Sequence, residues 1–183
     1  QRQMCIRDSN TQPASVSITQ SCETGVIYKL DEILKINQVA KENGMKIHMD
    51  GARFSNAIAS LKKSPAEATW KLGIDVLTFG GTKNGCMDAE AIIFFNPSDV
   101  NNFQYLQKRS GQLLSKTRFL SSQLDAYITD GLWLRNAIHA NDMARKLSEK
   151  LSKINSFELT YPTESNEIFI KMPKNIQDHL NNE

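Results

Sequence analysis

Apolar and polar residues alternate along Val16-Ser17-Ile18-Thr19-Gln20, the period of a half-buried strand. Asp31 to Asn43 changes to a helical period, with Ile33, Ile36 and Ala40 on one face and Leu34 and Val39 beside them. Gly44 follows, where a left-handed helix cap is wanted. Lys46 to Asp50 is the next strand, and strand–helix–strand over this length predicts a parallel βαβ unit. Gly51 to Lys62 reads as a helix with Phe54, Ile58 and Leu61 on one face. Ser64-Pro65-Ala66-Glu67 is a helix start: the serine caps, the proline suits the first position and the glutamate closes a capping box. Gly73 ends that helix.

Asp75 to Gly80 and Glu90 to Phe95 are apolar strands, Val76-Leu77-Thr78-Phe79 and Ala91-Ile92-Ile93-Phe94-Phe95. The loop between them is too short for a helical crossover, so this pair is expected to be antiparallel. The remainder reads as helices over Ser98 to Ser110, Gln112 to Thr129, and a long one marked by Trp133, Ala137, Ala140, Ala144, Leu147 and Leu151. Gly131 separates the last two. Phe157 to Tyr161 and Glu167 to Lys171 read as strands, and a further helix begins after Pro173. The fold class is α/β, a mostly parallel sheet with helices expected on both faces. Residues 10–129 are read as the later part of a large domain, and 130–183 as the start of a small α+β domain.

Bulk properties narrow this picture mainly by exclusion. The 183 residues hold 22 basic and 20 acidic side chains, for a net charge of +2. No basic run with interleaved aromatics suggests nucleic acid, and no apolar run approaches membrane-spanning length. Three cysteines, Cys5, Cys22 and Cys86, suit neither a disulfide framework nor a zinc site, and three scattered histidines make no metal pattern. A reducing cytoplasm is the default location, and no metal is expected. Residues 1–9 have no structural period and resemble translated adapter sequence. They are set aside, and the chain is read as an internal piece of a longer protein.

The candidate chemistry lies between Ile47 and Asn84. Ligands of such sheets bind beyond the carboxyl ends of parallel strands. Asp50, Lys83 and Gln20 fall at such ends. Asp50 could hold a pyridine nitrogen protonated, Lys83 could carry a carbonyl cofactor as an imine, and Arg53 could grip an α-carboxylate with two prongs. Gly80 and Gly81 would let backbone approach a cofactor, and Thr82 could offer its hydroxyl to a phosphate. The plainer reading stands beside this one. Asp50-Gly51 is a common turn pair, Arg53 could answer Asp50 on the next helical turn, and Lys83 could be a solvated loop lysine. His48 reads as a satisfied core histidine and Cys86 as an incidental small residue.

The run His48-Met49-Asp50-Gly51-Ala52-Arg53-Phe54, then Ser64 to Trp70, then Gly80-Gly81-Thr82-Lys83-Asn84-Gly85, resembles the low-specificity L-threonine aldolases. These are members of the aromatic amino acid β-eliminating lyase group of fold-type I pyridoxal-phosphate enzymes. The resemblance runs from about Gln12 to about Met172, includes Arg109 to Lys116 and Leu120 to Asp125, and is strongest to the phenylserine-aldolase-like branch. It implies pyridoxal 5'-phosphate as cofactor. Lys83 matches the Schiff-base lysine, Asp50 the partner of the pyridine nitrogen, Arg53 the substrate-carboxylate arginine and Thr82 the hydroxyl position before the lysine. A phosphate contact from a neighbouring subunit falls near Ser115 and Lys116, and Gln20 stands near a position that is often histidine. The implied reaction is retro-aldol cleavage of L-threonine or phenylserine to glycine and an aldehyde, in a homodimer or homotetramer. The 183 residues alone are expected to be inactive and to bind cofactor poorly. Another fold-type I activity, a β-eliminating lyase or aminotransferase, and a degenerate binding domain are the alternatives.

Overall fold

The computed structural model describes residues 12–182. The leader reading at 1–9 and Cys5 therefore lie outside the described residues. Strands β1 (Ser15–Thr19), β2 (Lys46–Gly51), β3 (Val76–Gly80) and β4 (Glu90–Phe94) form one sheet in that order. β1, β2 and β3 are parallel, and β4 runs antiparallel to β3, as the short connection demanded. Helix α1 (Leu30–Glu42) is the first crossover, and Gly44 takes the left-handed conformation predicted for its end. The return into β2 is closed by Met45 donating to the Ala40 carbonyl at 2.9 Å.

Burial follows the strand period. Ile18, Ile47, Met49, Leu77 and Phe79 are buried together with Ile33 and Ala40 of α1 and with Phe54 and Ile58 of α2 (Phe54–Leu61). The alternate positions, His48, Asp50, Val76 and Thr78, are half-buried. Phe79 anchors the aromatic part of this core, with its ring 6.1 Å from Phe54, 5.7 Å from Tyr127 and 6.0 Å from Trp133.

Several helices differ from their predicted bounds for local reasons. α2 begins at Phe54 rather than Gly51, because β2 continues to Gly51 and Ala52 to Arg53 form the turn. The capping box at Ser64 forms: Ser64 Oγ accepts from the Glu67 N–H at 3.3 Å, and Glu67 accepts from the Ser64 N–H at 3.0 Å. Yet α3 (Pro65–Ala68) lasts one turn. Thr69 leaves the helical region and its hydroxyl donates back to the Pro65 carbonyl at 2.6 Å, so the chain continues as a 3-10 turn, Trp70–Leu72. The predicted helix over Ser98 to Ser110 is split into a 3-10 turn, Pro97–Val100, and α4 (Phe103–Arg109), because Asn102 is left-handed at φ 64°. The Gln112 to Thr129 helix starts only at Arg118, giving α5 (Arg118–Ile128). Its long successor is α6 (Leu132–Leu151). The late strands are two residues each, β5 (Glu158–Leu159) and β6 (Ile170–Lys171), followed by α7 (Lys174–Leu180).

α6 packs along α2, and its alanines Ala137 and Ala144 are buried. A polar latch fixes the register of the two helices. Asn56 Nδ2 donates to Asn141 Oδ1 at 2.9 Å, and Asn141 Nδ2 donates to the Asn56 carbonyl at 2.9 Å. Among the described residues no helix is long and apolar enough to cross a membrane.

Candidate active site

Three neighbouring strands end on one side of the sheet, and each carries a candidate group there. Asp50 is the penultimate residue of β2. Lys83 lies three residues beyond the end of β3, in a 3-10 turn, Thr82–Asn84. Gln20 follows β1, and its N–H donates to the Asp50 carbonyl at 2.9 Å. β2 and β3 can end this close only because Gly51 has no side chain: a Cβ there would lie 2.6 Å from the Thr78 carbonyl oxygen.

One Asp50 oxygen accepts the Ala52 N–H at 3.0 Å, which fixes the carboxylate over the turn. Its other oxygen has no hydrogen-bond partner among the described residues. Lys83 is exposed, and its amine is in no hydrogen bond or ion pair among the described residues. A free carboxylate oxygen at the end of one strand and a free amine in the turn after its neighbour fit a group that presents a protonated ring nitrogen and a carbonyl carbon. Thr82 Oγ1 accepts the Ala89 N–H at 3.3 Å, so its hydroxyl proton stays available for an outside acceptor.

The lysine turn is held from behind by a buried network. Asn84 Nδ2 donates to the Tyr127 hydroxyl at 2.6 Å and to the Trp133 carbonyl at 2.7 Å. Tyr127 also bonds Ser55 Oγ at 2.8 Å, and Asn136 donates to the Asn84 carbonyl at 3.0 Å. Burial raises the Tyr127 phenol above its ordinary 10.0 despite these bonds, so it is neutral at physiological pH. Tyr127→Phe would strand two buried polar groups. It is expected to cost about 1–3 kcal/mol in denaturant melts. Burial likewise raises the Cys86 thiol, which suits its reading as a small packing residue.

Arg53 does not answer Asp50. Its Nη2 lies 2.5 Å from Glu167 Oε1. Glu167 belongs to the segment 163–167, which meets α2 from Ser60 near its end to Arg53 before its start. Glu164 clamps that segment by accepting the Ile27 N–H at 2.8 Å and the Lys29 amine at 2.6 Å. The Glu164 carbonyl accepts Ser60 Oγ at 2.5 Å. Burial works to raise the Glu164 pKa, but Lys29 and the Ile27 N–H outweigh it and hold the carboxyl below its ordinary 4.5. A depressed carboxyl stabilises the fold fully above its unfolded value and loses that contribution as pH falls through the folded one. The segment should therefore loosen below about pH 4.5. Melting midpoints followed into acid should fall less steeply in Glu164→Gln.

Gln20 has a structural task. Its buried amide donates to the Tyr28 carbonyl and accepts the Tyr28 N–H, both at 3.0 Å, stapling the loop that receives Glu164. His48 is satisfied across the sheet: Nδ1 lies 2.8 Å from Ser17 Oγ and Nε2 lies 2.6 Å from Thr78 Oγ1. The two glycines before the lysine are explained within the chain. A Cβ on Gly80 would lie 3.1 Å from Ala52 Cα, and one on Gly81 would lie 2.6 Å from Cys86 Sγ. Glu164, Glu167 and Tyr127 escaped the sequence reading, because no local pattern marks a contact made across so many residues.

The fold, a mostly parallel sheet with one antiparallel strand, matches that of the fold-type I pyridoxal-phosphate enzyme class. The structure of the threonine aldolase from Leishmania major matches with a TM-score of 0.86 at 28% identity, covering 100% of this chain and 54% of that one. The beta-eliminating lyase profile matches residues 2–174, and the chain belongs to that family. The low specificity L-threonine aldolase of Pseudomonas sp. (strain NCIMB 10558) is 49% identical over 170 residues, 93% of this chain and 49% of the relative. Cystalysin from Treponema denticola, whose structure contains pyridoxal 5'-phosphate, shares the fold alone. Its TM-score is 0.65 at 14% identity, over 86% of this chain and 42% of that one. The chain spans about half the length of the curated relatives it matches.

Proposed function

We propose that the protein carrying this chain is a pyridoxal-phosphate-dependent aldolase that cleaves L-threonine or another β-hydroxy-α-amino acid, such as phenylserine, to glycine and an aldehyde. The observation that carries this reading is the free Asp50 oxygen and the free Lys83 amine at adjoining strand ends, with Arg53 on the turn after Asp50. The 49% identity to a low specificity L-threonine aldolase supports the substrate class.

When bound, pyridoxal phosphate supplies an electron sink for a bond broken at the substrate's Cα. Lys83 is the amine that anchors it. Asp50 would face the ring nitrogen, and the Ala52 N–H holds its carboxylate in place for that contact. Thr82 offers its hydroxyl proton to the phosphate. Arg53 binds the substrate carboxylate and so decides which bond to Cα is presented for cleavage. Transfer of the β-hydroxyl proton to a base, with cleavage of the Cα–Cβ bond, would release the aldehyde, and return of a proton to Cα would complete glycine. The large domain is assigned to residues 10–129 and the small one to 130–183, in a cytoplasmic homodimer or homotetramer.

The test is glycine release by the cofactor-loaded protein, expressed from its complete reading frame, with L-threonine and with phenylserine. Glycine from either supports the aldolase, and the faster substrate names the branch. Formation of a keto acid or of ammonia without glycine would overturn it in favour of an aminotransferase or β-eliminating lyase.

A further inference from the structure

The Arg53–Glu167 pair is only half used. The two side chains are 20% and 18% exposed, and one contact joins them, Nη2 to Oε1. Arg53 Nε and Glu167 Oε2 are both buried without a hydrogen-bond partner among the described residues. Ser21 Oγ, Thr163 Oγ1, Ser165 Oγ and Asn166 Oδ1 are also buried without a hydrogen-bond partner among the described residues. A buried polar atom with no partner costs about 1–3 kcal/mol, so the free Arg53 Nε and Glu167 Oε2 leave this pair able to take a further polar partner.

The pair is also tightly placed. Gly25 packs against this segment so closely that a Cβ there would lie 3.1 Å from Glu167 Cβ and 3.2 Å from Ser165 Oγ. With Glu164 clamped to Ile27, Lys29 and Ser60, the Glu167 backbone has little room to shift. Arg53 is opposite in character: a long side chain at the cap position just before α2, with no ion-pair partner but Glu167 among the described residues. A guanidinium has five donors, and a carboxylate gripped with two prongs takes two of them. Glu167, holding one nitrogen, leaves enough donors for a second carboxylate.

We propose that Glu167 is a positioning residue: it tethers Arg53 by one nitrogen so that the remaining donors stand ready for the α-carboxylate of the amino acid substrate. This rests on the assignment of Arg53 to that carboxylate. The tether reduces the side-chain freedom that Arg53 must otherwise lose on binding. It also balances the guanidinium's charge while no substrate is present.

The experiment measures equilibrium binding of glycine to the cofactor-loaded protein, from its complete reading frame, with ethanolamine as an amine that lacks the carboxylate. Glu167→Ala should weaken glycine about tenfold, the scale of coupling between contacting groups, and leave ethanolamine unchanged. In turnover the same variant should raise KM more than it lowers kcat. Glu167→Gln keeps the length and one acceptor oxygen, and should lose only about threefold. In an Arg53→Lys background, Glu167→Ala should change glycine affinity by less than about twofold. Equal loss of both ligands would mean a structural role and overturn the inference. So would unchanged or tighter glycine binding, the latter making Glu167 a competitor of the substrate. Should Glu167→Ala not fold, the Gln variant decides: no loss of glycine affinity overturns the tether. If Arg53→Lys itself leaves glycine affinity unchanged, the assignment of Arg53 fails. If Arg53→Lys weakens glycine and Glu167→Ala does not, only the tether fails.

Discussion

Lys83→Ala should reduce glycine formation by about 10³-fold or more, the scale at which loss of an attacking side chain registers. The amine is not otherwise employed: among the described residues it joins no ion pair and no hydrogen bond. The turn that carries it is held by Asn84, Tyr127 and Asn136, none of which touches the lysine side chain. The mutant should therefore melt within about 0.5 kcal/mol of wild type, as exposed substitutions do. A large loss of activity with an unmoved melting curve separates a chemical role from a structural one. Borohydride treatment of the loaded protein should fix cofactor to the peptide containing Lys83 in wild type and not in the mutant. Substantial glycine release by Lys83→Ala would remove the lysine from the mechanism.

Asp50→Asn should lower kcat by about 10²–10³-fold, the range for losing one preorganised electrostatic partner in a site. This substitution is chosen because its side chain preserves the fold contact. An asparagine oxygen can accept the Ala52 N–H as the carboxylate now does at 3.0 Å. What disappears is the negative charge on the oxygen left over. KM for the amino acid should move little, because the carboxylate grip lies with Arg53. An unchanged kcat would show that this charge is not used, and would favour the plainer reading of Asp50-Gly51 as a turn.

The sheet and the lysine turn were legible because their causes are local. Alternation in Val16 to Gln20, the apolar run Val76 to Phe79 and the shortness of the loop to Glu90 set strand identity and direction without reference to distant residues. The Ser64 capping box was legible for the same reason, being a contact between residues three apart. Where that helix ends was not, since Thr69 turns the chain out by bonding back to Pro65. The partner of Arg53 was the larger miss. Asp50 is its obvious neighbour in sequence, but Asp50 is engaged by Ala52 while Glu167 arrives from the far end of the chain. Asn84 gave no signal either, because its partners Tyr127 and Trp133 sit on other helices and look apolar in any periodic count.

Helix α6 meets the candidate site at two places. Near its start, Trp133 and Asn136 hold Asn84, the residue beside Lys83. Two turns later, Asn141 grips Asn56, three residues after Arg53. The helix thus acts as a common beam to which the turn bearing the amine and the helix that follows Arg53 are both bolted. Motion of the beam carries both attachments in the same direction. The spacing between the lysine turn and the start of α2 is in this way kept when α6 moves, while the Arg53 side chain also follows Glu167, beyond Leu151.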